Sequence, residues 1–170
     1  METPDQFMET FVQKNPTDRP RAPVIALDLG TKRVGVAISD ALSISITRLA
    51  VLPRTNWKQL LRDVADLIRR FDAQSMVIGL PLSLNGSTGD AALAVRSLAL
   101  KFARSLSVPV YLQDERLSSV AAAENLRAEG HDAAGVSAFI DSEAAAVILR
   151  DFLLSDQERQ ERVLVALPEK

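Results

Sequence analysis

The chain has 170 residues, of which 47% are hydrophobic, and it contains no cysteine. This length suits one domain with a core, and the absence of cysteine excludes a disulfide framework, a thiolate metal site and a cysteine nucleophile. No apolar run reaches the roughly 18 residues that a membrane span requires, so we expect a soluble, cytoplasmic protein without a membrane partner.

The charges of the chain are nearly balanced. The formal net charge is −2, and residues 24–154 carry 14 cationic and 14 acidic side chains. Bulk charge therefore does not indicate nucleic-acid binding, and only 5% of the residues are aromatic, which leaves few rings for base stacking. If the partner is a polyanion, arginines must cluster on one face while the acids gather around a cation.

The first predicted elements form an antiparallel meander. VIALDL and VGVAIS are β-rich runs joined by Gly-Thr-Lys-Arg, and ISITRLAVL alternates well enough to predict a third strand. Residues 1–22 have three prolines and no periodicity, so we interpret them as a flexible N-terminal extension. Asp28 stands out in the first strand, because burying an ionised carboxylate without a donor, a cation or a metal costs several kcal/mol.

Helices and parallel strands are predicted to follow the meander. Apolar side chains recur at helical spacing from Trp57, with Thr55 or Asn56 available as the cap. MVIGL is a short buried strand, and a second helix and the strand VPVYL complete a βαβ unit. A short alanine-rich helix is predicted to end at Gly130, and a last helix to begin at Ser137.

This order of elements predicts an α/β fold. We expect a mixed five-stranded sheet, built from the three-strand antiparallel meander plus two parallel strands, with helices on both faces. Residues 23–154 would form this domain, and residues 155–170, which are mostly polar, would form a C-terminal tail.

Three acids lie where solvated charges are not expected. Asp28 is in the first strand, Glu115 directly follows the last strand, and Asp141 lies one turn into the predicted last helix, on the stripe that faces the core. Sites in such sheets form outside the carboxyl ends of the parallel strands. Three converging carboxylates would repel one another without a cation, and an oxygen-only shell suits Mg²⁺ or Mn²⁺. Two such ions would permit in-line attack of water on a phosphodiester.

Four segments carry a resemblance to a known family. ALDLGTKRVGVAISD, VIGLPLSLNG, LQDERLSS and IDSEAAAVILRDFL, in this order and spacing, resemble the YqgF family, also called RuvX. These small bacterial proteins have a ribonuclease H-like fold and are described as Holliday junction resolvases or as nucleases that mature the 16S ribosomal RNA precursor. The resemblance covers roughly residues 24–154 and implies a role in DNA recombination and repair or in ribosome biogenesis.

The resemblance implies metal-binding and catalytic acids. Asp28 matches the aspartate of the first strand, Glu115 the glutamate of the DER motif, and Asp141 the aspartate at the start of the last helix. Asp114 is a weaker fourth candidate for a metal ligand. Each of the three main acids also has an ordinary structural interpretation: a hydrogen bond to a turn for the first, a surface ion pair for the second and a favourable helix dipole for the third.

The resemblance also implies nucleic-acid contacts. Thr31, Lys32 and Arg33 match a hairpin loop that could hold a phosphate near the metals, and Arg116 could do the same from the other side. Gly86 closes the family's GLP...G loop, whose glycines would let the backbone approach the substrate.

We therefore predict a two-metal-ion endonuclease that hydrolyses phosphodiesters in branched DNA or in structured RNA such as the 16S precursor, with Mg²⁺ or Mn²⁺. A four-way DNA junction needs two symmetric cuts, so a homodimer is expected on that substrate, and the apolar run VLVAL is a candidate contact. One alternative is a nucleotide-binding phosphotransferase, because LDLGT also resembles the phosphate-binding hairpin of the actin and sugar-kinase group. Another is a non-catalytic nucleic-acid-binding module in ribosome assembly or transcription.

Overall fold

The computed structural model describes residues 12–14, 19–83, 85, 88–115, 118–155 and 160–164. The strands are β1 (Val12–Lys14), β2 (Val24–Leu29), β3 (Arg33–Ser39), β4 (Ile46–Arg48), β5 (Leu52–Pro53), β6 (Ser75–Leu80), β7 (Val110–Asp114) and β8 (Gln160–Val163). The helices of the described residues are α1 (Trp57–Phe71), α2 (Asp90–Ser105), α3 (Ser118–Ala128) and α4 (Ala133–Leu154).

The strands form one mixed sheet in the order β1-β8-β7-β6-β2-β3-β4, with β5 also paired to β3. β2, β3 and β4 are antiparallel neighbours, whereas β6 is parallel to β2 and β7 is parallel to β6. This arrangement confirms the predicted meander plus two parallel strands, and hence the ribonuclease H-like α/β fold.

The third predicted strand is divided into two short strands. Arg48 pairs with Ala37, but Leu52 pairs with Val34, so the register against β3 shifts by one residue between β4 and β5. An extra residue of this kind interrupts a ladder and bends the strand, as in a β-bulge. The prediction of one continuous strand over ISITRLAVL was therefore wrong.

The sheet has eight described strands rather than the predicted five. β1 and β8 pair with each other, and β8 pairs antiparallel with β7. Arg96 of α2 binds the carboxylate of Glu161 in β8 through Nη1 at 2.6 Å and Nη2 at 3.2 Å. Strands this short carry no readable periodicity, and their pairing joins distant parts of the chain. The proposed domain boundaries remain predictions.

The helix caps explain most of the helix boundaries. Asn56 caps α1, since its Oδ1 accepts a hydrogen bond from the Gln59 amide at 3.0 Å. After α3, Gly130 adopts a φ of 91°, and its amide donates to the carbonyl of Arg127 at 3.0 Å, which confirms the predicted glycine cap.

The start of α4 differs from the prediction. The helix begins at Ala133 rather than at Ser137, because alanines favour the helix and one glycine near its start costs only about 1 kcal/mol. Asp141 therefore lies about two turns inside α4 instead of one, and its interpretation as a first-turn acid was wrong.

The helices cover both faces of the sheet, as predicted. α1 and α2 pack on one face through Leu60, Val64, Val95 and Phe102. α4 packs on the other face through Ala145, Ile148 and Phe152, which confirms the apolar stripe that Asp141 heads. None of the helices in the described part of the chain combines the length and apolar composition needed to cross a bilayer.

Candidate active site

Asp28 is a carboxylate of β2 at the edge of the sheet where the parallel strands end. It pairs in register with Gly35 of β3 and is only partly accessible. Burial raises the pKa of Asp28 to about 6, and the negative charge of Asp141 adds to the increase. Asp141 therefore lies close enough to Asp28 to disfavour the ionised form of Asp28.

Gly35 brings α4 against the sheet at this point. A Cβ at residue 35 would collide with the backbone carbonyl of Asp141 and would lie 3.1 Å from the amide nitrogen of Ser142. The backbone of α4 thus rests directly on the residue that pairs with Asp28. The sequence analysis missed Gly35, although a glycine inside a β-rich run is a known sign of close backbone approach.

The carboxylate of Asp141 has incomplete compensation for its charge. Its Oδ2 is buried and accepts no hydrogen bond from any group in the described residues, although Nε of Arg33 lies 3.0 Å away. Arg33 is 58% exposed and Asp141 is 25% exposed, so solvent weakens this ion pair. Arg33, predicted to contact phosphate, is therefore placed beside the carboxylate pair.

Glu115 lies at the end of the neighbouring parallel strands. Its amide donates to the carbonyl of Leu80 at 3.1 Å, and its side chain covers Gly79, where a Cβ would lie 2.7 Å from the Glu115 Cδ. Gly79 follows Ile78, which pairs with Leu27, so the carboxylate lies over the strand next to Asp28.

The structure brings some of the predicted acids together and leaves others apart. Asp28 and Asp141 form a pair, whereas Asp114 and Glu115 stand at the end of β7, which β6 separates from the strand of Asp28. Within the described ranges, no three acidic or histidine side chains come close enough to hold a metal ion jointly. The pair itself suits a hard divalent cation, because both donors are carboxylate oxygens, one of them buried without a hydrogen bond.

The hairpin loop beside the pair is held in place by Arg54. Arg54 donates from Nη1 to the carbonyl of Gly30 at 2.6 Å, and its amide donates to the carbonyl of Lys32 at 3.0 Å. Thr31 and Lys32 are exposed in this loop. Sequence reasoning missed Arg54, because nothing in the strand pattern indicates a contact with a loop 24 residues earlier. Arg116 and Gly86 lie outside the described residues.

A second carboxylate of α4 belongs to a group that we name the Arg48 cluster, formed by Arg48, Asn125, Glu129 and Glu143. Glu143 is 3% exposed and accepts hydrogen bonds from Arg48 at 2.8 Å and from Asn125 at 3.2 Å. Arg48 also donates to Glu129 at 3.1 Å. Partial burial lowers the pKa of Arg48, but the hydrogen bonds to Glu129 and Glu143 outweigh it and the net shift is upward.

Comparisons with known proteins show the family to which the chain belongs. The family described as "RuvX: Holliday junction resolvase" matches residues 22–155. A protein of Gloeothece citriformis (strain PCC 7424), named "Putative pre-16S rRNA nuclease", is 36% identical over 146 residues, which cover 86% of this chain and 95% of the relative. A protein of Anaeromyxobacter sp. (strain Fw109-5) with the same name is 38% identical over 129 residues, covering 76% and 94%. Among solved structures, Thermus thermophilus RuvC is 14% identical with a TM-score of 0.48, covering 82% of this chain and 99% of RuvC.

Proposed function

The chain belongs to the RuvX family, and from this premise we propose that it is a metal-dependent endonuclease acting on branched DNA or structured RNA. Its coarser class follows from the family: it is a nuclease, a hydrolase of phosphodiester bonds in nucleic acid. The observation that carries the proposal is the pair of Asp28 and Asp141: the charge of Asp141 adds to the raised pKa of Asp28, and a buried Asp141 oxygen accepts no hydrogen bond from a described group and is balanced only by the exposed Arg33.

The carboxylates would hold Mg²⁺ or Mn²⁺. Asp28 and Asp141 are the proposed primary ligands. Asp114 and Glu115, at the end of β7, are proposed as further ligands. When bound, such ions acidify water and neutralise charge on the phosphate. Without that charge, the carboxylate pair would repel a polyanionic substrate.

Side chains around the pair have distinct proposed roles. Lys32 and Thr31 would bind a phosphate from the exposed hairpin loop, whose shape Arg54 maintains. Arg33 would balance the charge of Asp141 until substrate arrives. The Arg48 cluster would fix the rotation of α4 and with it the direction of the Asp141 side chain.

The names of relatives support two substrates. The curated relatives are named for the 16S ribosomal RNA precursor, whereas the family description names the four-way DNA junction. On a junction we propose a homodimer, because two symmetric cuts need two copies of the site. Val163 of the candidate run VLVAL is buried within the chain, Leu164 is exposed, and residues 165–167 lie outside the described residues.

The two alternative functions receive less support. The family match does not favour a phosphotransferase of the actin and sugar-kinase group. A non-catalytic binding module would have no need for two neighbouring carboxylates, one with a buried oxygen that accepts no hydrogen bond from a described group.

The test is cleavage of an end-labelled four-way junction, its linear duplex and a 16S precursor RNA, each with Mg²⁺ or Mn²⁺. The variant is Asp28→Asn, and the matched control is Asp66→Asn, an exposed aspartate of α1 that pairs with Arg69. Metal-dependent cutting that Asp28→Asn abolishes and Asp66→Asn retains would support the proposal. Absence of cutting by the unmodified protein, or equal cutting by Asp28→Asn, would contradict it.

A further inference from the structure

A basic cleft lies at the end of the sheet opposite the carboxylates. It has a volume of about 1150 Å³ and lies between the C-terminal ends of α1 and α2 and the starts of β6 and β7. Its lining holds four arginines against a single acid, Asp72; the arginines are Arg19, Arg21, Arg69 and Arg162. A chain with balanced charges therefore concentrates positive charge here, as binding of a polyanion requires.

Two of these arginines have their charge available. Arg19 and Arg21 are exposed, and neither makes a hydrogen bond or ion pair within the part of the chain that the structure describes. Arg69 instead pairs with Asp66 at 2.7 Å. The one acid of the lining is engaged as well, since Asp72 Oδ1 accepts a hydrogen bond from Gln74 at 3.1 Å.

The chemistry of the cleft favours a chain of phosphates over a single small anion. Planar guanidinium groups bind phosphate oxygens through two parallel hydrogen bonds. The helices, however, present their C-terminal ends, whose partial negative charge disfavours an anion held by the backbone. Affinity must then come from several separate side chains, which a polymer with regularly spaced phosphates can reach.

The cleft and the candidate ligand Glu115 lie at the two ends of β6, the strand next to that of Asp28. β6 starts at Ser75, next to the lining residue Gln74, and its Gly79 lies under Glu115. At about 3.3 Å per residue, this separates the two places by roughly 15 Å. That distance corresponds to between four and five steps of about 3.4 Å along a duplex strand.

We propose that the cleft is a second nucleic-acid contact, which holds the phosphate backbone of a substrate arm remote from the bond that is cut. This proposal rests on the proposed nuclease function and adds the position of a substrate segment. The two regions together would select substrates that extend from one end of the sheet to the other.

The first test is the salt dependence of binding without divalent metal, for the four-way junction and the precursor RNA. The double variant is R19Q/R21Q, and the control is R62Q/R127Q, which removes the same charge from exposed positions of α1 and α3. Each lost phosphate contact lowers the slope of log affinity against log salt by about 0.9 on duplex DNA. We expect R19Q/R21Q to bind about tenfold more weakly with a slope smaller by about 2.

The second test locates the nucleic acid directly. Because the chain has no cysteine, Ser107→Cys in the cleft would carry the only thiol, to which an iron chelate that generates hydroxyl radicals can be attached. We expect radical cuts in the substrate arm away from the scissile bond. Ser97→Cys, at an exposed position of α2 outside the cleft, is the matched control.

The outcomes separate the two proposals. If the unmodified protein cuts its substrate but R19Q/R21Q binds with the control's affinity and slope, the cleft proposal is overturned and the nuclease stands. The same holds if the chelate at residue 107 cuts no more than the chelate at residue 97. If millimolar inorganic phosphate displaces the substrate completely, the cleft binds free phosphate and the proposal is also overturned. If the unmodified protein neither binds nor cuts, both proposals fail.

Discussion

Asp141 and Glu143 are two carboxylates of α4, two residues apart, that differ in how their charge is compensated. Glu143 is buried and accepts hydrogen bonds from Arg48 and Asn125. Asp141 is a quarter exposed, faces Asp28, and has a buried oxygen that accepts no hydrogen bond from a described group. Both carboxylates are largely shielded from solvent, Glu143 more fully than Asp141, and the difference in hydrogen bonding distinguishes the candidate catalytic acid from the structural one.

The helix geometry explains the difference. Residues two positions apart point about 200° apart around an α-helix. Asp141 therefore faces β2 and β3, where Gly35 admits the helix backbone, whereas Glu143 faces α3 and β4. The same helix carries one acid stabilised by neighbours and another left available for a cation.

The largest expected effect concerns activity. Asp141→Asn should lower cleavage by about 10³-fold, because losing a metal ligand removes several kcal/mol of charge stabilisation. Glu143→Gln should retain cleavage within a few-fold for each folded molecule. Single-turnover rates, normalised to the folded fraction from circular dichroism, measure both. A comparable loss of cleavage in the two variants would contradict the proposed difference between Asp141 and Glu143.

The next effect concerns stability. Arg48→Met should lower the free energy of unfolding by about 3 kcal/mol, since it leaves Glu143 buried without its partner. The double variant Arg48→Met with Glu143→Leu should recover most of this loss, because it removes both charges. Urea denaturation measures each value. A loss of under about 1 kcal/mol for Arg48→Met would show that the cluster is not structural.

The pH dependence of stability should reveal the burial of Asp28, to which the nearby charge of Asp141 adds. The folded-state pKa of Asp28 is raised from 3.8 to about 6, so the protonated form is favoured in the folded state. This contribution to stability is fully present below pH 3.8 and is lost as the pH rises through about 6. The shift corresponds to at most about 3 kcal/mol.

Asp28→Asn should remove this pH dependence. Without metal, the variant should unfold at a higher temperature than the unmodified chain above pH 6, and the difference should shrink below pH 4. Added Mn²⁺ should stabilise the unmodified chain and leave the variant unchanged. Equal pH profiles for the two proteins would contradict the raised pKa of Asp28 and hence its burial beside Asp141.

The smallest effect concerns Arg33. Arg33→Gln should change the free energy of unfolding by less than about 1 kcal/mol, because solvent screens this exposed ion pair. It should nevertheless tighten Mn²⁺ binding by a few-fold, since Arg33 no longer competes for Asp141. Lys32→Gln removes an exposed loop charge next to it and serves as the control in calorimetric titrations. Equal metal affinity in the two variants would contradict the proposed competition between Arg33 and the metal for Asp141.

Local patterns predicted the central part of the fold. Strand runs such as VIALDL, the Asn56 cap and the Gly130 cap depend on residues close in sequence, and the structure confirms them. The pairing of β1 with β8 joins residues about 150 positions apart, and strands of three or four residues leave no periodic signal. The early start of α4 was missed because Ser137 was taken as the first residue of the helix, whereas the helix begins four residues earlier at Ala133.

The candidate site was predictable only in its composition. Asp28, Glu115 and Asp141 stood out by their positions in the predicted elements, and the family resemblance then implied their roles as metal ligands. Asp141 and Glu143 are acids of the same helix, and the sequence does not show which of them has its charge compensated. That depends on Arg48 and Asn125, which come from other elements. The arginines of the basic cleft likewise come from three separate segments of the chain.

Gly35 has a consequence for anyone who searches this protein for loss-of-function alleles. The backbone of Gly35 has an ordinary extended conformation. Only the contact with the α4 backbone at Asp141 and Ser142 excludes a larger residue. An alanine there would push α4 outward and separate the two acids, while leaving every polar group of the molecule intact. In a library of random variants, Gly35→Ala would lower activity as much as the loss of a carboxylate would. A screen limited to charged residues would overlook the position that sets the distance between them.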